Sequence, residues 1–156
     1  MNNVIIFTNA QGGTTVVYPA PNCGLTIQEI AAKDMPAGTP HAIVDESQVP
    51  SDHTYFNAFV ADLQAGVVAV DMPKAREIHK NFMRAARTPI LAALDVAYTR
   101  ADEKGPAGAA EKAQIAAQKQ ALRDVTADAG IAAATTPEEL KAVWPAVLGP
   151  KPYGGV

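Results

Sequence analysis

Cysteine is nearly absent from this 156-residue chain, in which Cys23 stands alone. One thiol excludes an internal disulfide and a cysteine-based zinc site, and it suits a reducing cytosol. Serine is almost as scarce: Ser47 and Ser51 are the only two, and neither sits in a G-x-S-x-G elbow. Long apolar runs are missing too. None approaches the roughly 20 residues that span a bilayer, and Val4 to Phe7, with no basic segment ahead of it, does not read as a signal peptide. A surplus of basic residues is also lacking, since the net charge is -3 and the pI ≈ 5.5. That balance argues against a general nucleic-acid binder. What is present is the 48% apolar and 19% charged composition of an ordinary folded protein. The expectation is a cytosolic protein without metal or cofactor, built as one domain or two very small ones.

The charge is unevenly placed. Up to Met72 the only base is Lys33, against seven acids, a net of -6; from Pro73 onward twelve bases face nine acids, a net of +3. The texture changes at the same point, from Val, Ile, Thr, Pro and Gly to Ala, Lys, Gln and Glu. This divides the chain into an acidic α+β module at 1–72, an Ala-rich helical hairpin with a short terminal helix at 73–148, and a Pro-Gly-rich flexible or partner-bound tail at 149–156.

Within the first module, Val4–Thr8 and Thr14–Tyr18 are β-prone segments around Asn9-Ala10-Gln11-Gly12-Gly13, which predicts a hairpin. Thr26 with Glu29 three residues on predicts a capping box and a helix from Ile27 to about Asp34. Pro36, Gly38 and Pro40 stop it, and His41–Asp45 reads as a third strand. Ser51 then fits the N-cap of a helix carrying Tyr55, Phe56, Phe59, Val60 and Leu63. Val67–Val70 is a last short strand or an extended connection.

In the second module Pro73 opens a helix with Ile78, Phe82 and Ala85-Ala86 on one face. Pro89 kinks this helix or starts a new one, and Ile90, Leu91, Leu94 and Ala97 continue the stripe to about Asp102. Gly105-Pro106 breaks it. A further helix spans about Ala109 to Thr126, with Ile115, Leu122 and Val125 inward. Thr136 caps a short helix, with Pro137 first and Glu139 as box partner. Alanine buries little area, so Leu and Phe supply most of the burial, and such a hairpin gains by a partner or by its own copies.

Candidate chemistry is thin. His41, His53 and His79 lack metal-ligand spacing, and His79 on the basic helix is expected to be exposed. Cys23 has no helix start beneath it to activate the thiol. Gly12-Gly13-Thr14 matches no phosphate-loop pattern. Asp45-Glu46 and Asp102-Glu103 lie in polar, turn-like contexts. One charge pattern has a direction: Arg76, Lys80, Arg84 and Arg87 fall on one helical face. They read either as a solvated face or as a docking surface for acid, on the chain's own acidic half or on a partner protein. Nucleic acid is disfavoured because no aromatics interleave the stripe.

The segment Arg84-Ala85-Ala86-Arg87-Thr88-Pro89-Ile90-Leu91-Ala92-Ala93-Leu94-Asp95, then Lys119-Gln120-Ala121-Leu122-Arg123-Asp124-Val125-Thr126, then Thr136-Pro137-Glu138-Glu139-Leu140 and Trp144-Pro145, resembles the tail or tail-fibre assembly chaperones of tailed bacteriophages. The likeness covers about half the chain. Asn9–Gly13 and Leu25–Ala31 look like the N-terminal module of phage proteins of similar size. Alanines stand where the family carries aromatics in its central helices. The resemblance implies no catalytic residues. It implies a non-enzymatic protein that binds a phage tail or tail-fibre protein in the host cytoplasm, with homo-oligomers as a further form. The competing role is a structural virion component, such as a tail-fibre adaptor, kept in the mature tail.

Overall fold

The structure, a computed structural model, describes residues 2–153 and is α+β, with small antiparallel sheets before a long helical region. Two compact units divide between Ala75 and Arg76.

The first unit starts with the expected hairpin, β1 (Asn3–Thr8) and β2 (Thr14–Val17), with Ile5 opposite Val17 and Thr8 opposite Thr14. The turn is held by Asn9, whose Oδ1 accepts the N–H groups of Gln11 and Gly13 at 3.1 and 2.9 Å. Gly12 supplies the positive φ of +77°. After α1 (Ile27–Asp34), the strand β3 (His41–Asp45) returns antiparallel to the free side of β1, giving the order β2-β1-β3. The capping box forms: the Thr26 side chain accepts the Glu29 N–H at 3.3 Å, and the Glu29 carboxylate accepts the Thr26 N–H at 2.7 Å. The Thr26 N–H and then its hydroxyl, both donating to the Glu29 carboxylate, hold that carboxyl below its usual range.

Both faces of the central strand are covered. Ile5 packs with Ile30 and Ala31 of α1, and Val4 and Ile6 pack with Val44, Phe59 and Val68. That is why Val4-Ile5-Ile6 is a continuous apolar run rather than an alternating one. Burying each such side chain contributes about 1.5–3 kcal/mol.

The helix expected after Ser51 does not form. Phe56–Ala58 makes a 3-10 turn, and the chain then enters β4 (Phe59–Asp62), paired antiparallel with β5 (Val67–Val70). The apolar spacing that suggested a helix also fits a strand whose Phe59 points into the core while Val60 lies 47% exposed. Asp62 Oδ1 accepts the N–H groups of Gln64 and Ala65, and Gly66 takes φ +69°, so this segment is a hairpin turn. Pairing and side-chain burial outweigh local helical periodicity here.

One 32-residue helix, α2 (Met72–Glu103), starts at the end of the first unit and runs into the second. Asp71 Oδ1 accepts the Lys74 N–H at 3.1 Å at its start. Pro89 lies inside the helix, on an exposed position, and neither ends it nor starts another. The inward row at the start of α2 is Ala75, His79 and Met83, all 0% exposed, while Ile78 and Phe82 are half-buried and Ala85 is exposed. The expected inner face is thus rotated by one residue, about 100°.

A 3-10 turn at Gly105–Gly108 reverses the chain into α3 (Ala109–Asp124), on which Ile115 and Leu122 are buried. A second 3-10 turn (Val125–Ala127), α4 (Ala129–Ala133) and α5 (Pro137–Ala142) follow. The Thr136 hydroxyl accepts the Glu139 N–H at 3.2 Å, but the Glu139 carboxylate reaches Thr135 rather than closing a box on Thr136. Val125, Ile131, Ala134, Leu140 and Leu148 are buried in this unit.

Candidate functional site

The stripe Arg76, Lys80, Arg84 and Arg87 splits into two pairs. Arg76 and Arg87 turn toward their own unit. Arg76 Nη2 donates to the Ala134 carbonyl at 2.9 Å, at the end of α4. Arg87 Nη1 donates to the carbonyls of Leu122 and Arg123 at 3.2 and 2.9 Å, in the last turn of α3. A helix leaves its final carbonyls unpaired and slightly negative, which is what a guanidinium satisfies. Among the described residues Lys80 and Arg84 bond along their own helix, Lys80 to Glu77 at 2.8 Å and Arg84 to Asn81 at 2.6 Å. The Lys80 ammonium lowers the Glu77 carboxyl, by its hydrogen bond first and its charge second.

Beyond Arg87 the two helices continue as an arm. From Arg84 to Arg100 no residue is fully buried, although the stretch includes Ile90, Leu91, Leu94, Val96 and Tyr98. Between Ala109 and Ala121 only Ile115 is buried. Sixteen residues of α2, Thr88 to Glu103, give the arm a length of about 24 Å. Three ion pairs bridge α2, the following turn and α3: Lys112 to Asp102 at 2.5 Å, Lys104 to Glu111 at 2.6 Å, and Lys119 to Asp95. Lys119 also lies over the Tyr98 ring, 5.5 Å from its centroid. Lysine stems thus occupy positions on the facing side of α3 where a longer apolar core would place leucine. From Thr88 to Ala121 four acids balance four bases. The arm is neutral, alanine-rich and half-dressed.

At the base, His79 corrects the expectation of exposure, for it is 0% exposed. Its Nε2 lies 2.8 Å from the Val143 carbonyl, which can only accept, so Nε2 carries the proton. Nδ1 is then the acceptor for the Tyr153 hydroxyl at 3.2 Å. The edges and faces of Trp144 and Tyr153 stand 5.9 and 6.0 Å away, centroid to centroid, and Tyr153 also lies 5.6 Å from Phe82. Burial lowers the His79 pKa, the Val143 bond opposes this, and the Lys151 charge adds to the lowering. The segment expected as a flexible or partner-bound tail makes side-chain hydrogen bonds within its own unit as far as Tyr153. Trp144 Nε1 donates to the Gly149 carbonyl at 2.9 Å, and Lys151 Nζ to the Lys141 carbonyl at 2.8 Å. Residues 154–156 of that expectation lie outside the described residues.

The remaining candidates stay apart. His41 is exposed beside the Thr39 carbonyl, and His53 stands edge-on to Phe56 and Phe59. Cys23 is exposed. Asp45 accepts from Ser47, and those bonds hold its carboxyl low. No cluster of three His, Cys, Asp or Glu side chains occurs among the described residues. No helix among them is long and apolar enough to cross a membrane. A groove of about 550 Å³ beside β1 is lined by Tyr18, Pro19, Pro21, Leu25 and Ile27, with Glu46 at its rim. Asn2 and Asn3 also line it, and Asn2 Nδ2 donates to the Glu46 carboxylate at 3.2 Å.

No protein-family model matches the chain, and neither a curated protein nor a solved structure matches it.

Proposed function

We propose that this chain is a non-enzymatic assembly protein of a tailed bacteriophage, binding a tail or tail-fibre polypeptide along the helical arm in the host cytoplasm. The observation that carries the reading is the stretch Arg84 to Arg100, where apolar side chains lie on a helix with no fully buried position. A helical pair with one face dressed and the rest bare gains apolar burial when a third helix or an extended segment lies along it. The resemblance of Arg84–Asp95, Lys119–Thr126 and Trp144-Pro145 to tail assembly chaperones supports a phage polypeptide as that client. Neutral charge along the arm favours a protein over nucleic acid, which would select a basic surface. Lys80 and Arg84, at the root of the arm, are the members of the basic stripe left to meet an acidic rim on the client.

The test is site-specific photo-crosslinking during phage production. A benzophenone side chain at Val96, 52% exposed on the arm, is compared with one at Val60, 47% exposed on the β-sheet unit. The expected result is an adduct from Val96 with a tail or tail-fibre polypeptide and none from Val60. An adduct from Val60 alone overturns the arm as the docking site. Stoichiometric amounts of the chain in purified particles would replace the assembly role with a structural one.

A further inference from the structure

Away from the arm and any client, the first unit carries an unused sheet edge: we infer that β3 pairs antiparallel with β3 of a second copy, about a two-fold axis at Ile43, joining two three-stranded sheets into one.

β3 is an outer strand of the order β2-β1-β3. The Glu46 N–H donates to the Asn2 carbonyl at 2.8 Å, so by alternation the bonded pairs across β1 and β3 are Asn2–Glu46, Val4–Val44 and Ile6–Ala42. The residues between, His41, Ile43 and Asp45, turn their backbone N–H and C=O groups away from β1. Among the described residues no hydrogen bond reaches those groups. Exposed edges are commonly blunted by a lysine, a proline or a bulge within the strand. Ala42-Ile43-Val44 has none of these, and its register with β1 is unbroken. The other outer strand, β2, is closed at one end, where the Thr14 hydroxyl donates to the Phe59 carbonyl at 2.8 Å.

The edge of β3 is complementary to itself. With Ile43 on the axis, Ile43 faces its own copy, His41 faces Asp45 of the second copy, and Asp45 faces His41 of the second copy. Each of these pairs exchanges two backbone bonds. Sliding by two residues keeps only two of the three pairs, and sliding by one sets outward groups against inward ones. The side chains agree with that register. Ile43, 36% exposed, lies on the same face as Ile5, yet the cluster of Ile5, Ile30 and Ala31 draws in Val17, Ile27 and Met35 and leaves Ile43 out. Pairing covers each Ile43 with the other. On the opposite face Ala42 and Val44, both packed in the Phe59 core, meet across the join and extend that core. Charge is matched too, because the only acid of β3, Asp45, meets a histidine and never another carboxylate. A five-residue strand pair buries less than the roughly 800 Å² per partner of a standard interface, so this dimer is weak and forms in concentrated protein.

The test follows the full chain from micromolar to millimolar concentration by sedimentation equilibrium and by amide exchange read in nuclear magnetic resonance. The expected result is a dimer that grows with concentration. The Ile43 amide, fast in dilute protein, should slow about tenfold once nine chains in ten are paired, while the Ala42 and Val44 amides, bonded to β1, stay slow throughout. Ile43→Lys brings two ammonium groups together on the axis and should abolish the dimer with the urea midpoint almost unmoved. His41→Lys should tighten the dimer and His41→Glu should weaken it, since each residue faces Asp45. The inference is overturned by a mass that stays monomeric at millimolar concentration, by a dimer that survives Ile43→Lys, or by a dimer that protects β2 or the arm and not Ile43. Protection of Ile43 that appears only when another polypeptide is added would overturn it as well, by making the edge a site for a foreign strand. Should Ile43→Lys not fold, the two His41 variants decide, and equal dimer affinities in them overturn the inference.

Discussion

A Cβ placed on Gly108 would lie 1.8 Å from the carbonyl oxygen of Ala101. The backbone of the turn after α2 is therefore pressed against the last turns of α2 itself. Gly108 has φ -88°, a conformation open to any residue, so the requirement is space and not dihedral freedom. Gly105, three residues earlier, shows the reverse, with φ +60° and nothing near its absent Cβ.

The pair gives a direct comparison. Gly108→Ala should destabilise by more than about 2 kcal/mol, because backbone must move to make room. Gly105→Ala should cost only about 1 kcal/mol, the ordinary penalty of a left-handed backbone for an L-residue. Urea unfolding of the two variants measures both. Equal losses would mean the turn opens freely away from Ala101.

The four basic residues of the stripe should divide by partner and not by charge. Arg76→Gln and Arg87→Gln each strand helix-end carbonyls and should lower stability by about 1–3 kcal/mol. The pair Lys80→Gln and Arg84→Gln should leave the unfolding midpoint almost unmoved, since exposed charges on one helix contribute little. The same pair should slow association with an acidic client and reduce its salt dependence. A loss of stability from Lys80→Gln equal to that from Arg87→Gln would contradict the division.

How far the sequence shows this arrangement depends on whether a feature is local. The β1–β2 hairpin, the Thr26 box, the positive-φ Gly12 and the break at Gly105 all follow from a few adjacent residues, and all can be read directly. The strand Phe59–Asp62 cannot, because its apolar spacing fits a helix equally well and only pairing with Val67–Val70 decides. Asp62 and Gly66, four apart at the ends of Leu63-Gln64-Ala65, were the available local sign. The rotation of α2 is similarly hidden. Ile78 and Phe82 are the larger apolar residues, yet the buried row runs through Ala75, His79 and Met83. A histidine between an alanine and a methionine at i-4 and i+4 marks that row only once its neighbours Val143 and Tyr153, more than sixty residues away, are in place.

Stability should fall with acid through His79. Its folded-state pKa lies below the ordinary value of 6.5, so below that value the unfolded chain binds more protons than the folded one. The contribution is fully present above pH 6.5 and is lost as pH falls through the folded-state value. The slope from one such group is at most about 1.4 kcal/mol per pH unit. Unfolding free energy measured by urea between pH 7.5 and 5 should show this slope, and His79→Gln should flatten it. A slope unchanged in that variant would assign the acid sensitivity elsewhere.

The arm should also be the soft part of α2. Backbone hydrogen bonds survive where side-chain burial resists opening, and burial along this helix is concentrated at Ala75, His79 and Met83, returning only at Ala101. Amide hydrogen exchange should therefore be slow from about residue 76 to 87. It should be faster by orders of magnitude from about 90 to 100, and equally fast in α3 between Ala109 and Ala121, apart from the turn around Ile115. Pro89 adds to the gradient, because it removes one helical hydrogen bond at the root of the arm. A bound tail polypeptide should slow exchange in the arm and leave the base unchanged. Slowing that grows with protein concentration alone would show a second copy covering the same face. Uniform slow exchange along all of α2 in dilute protein would remove the bare stretch on which the docking reading stands.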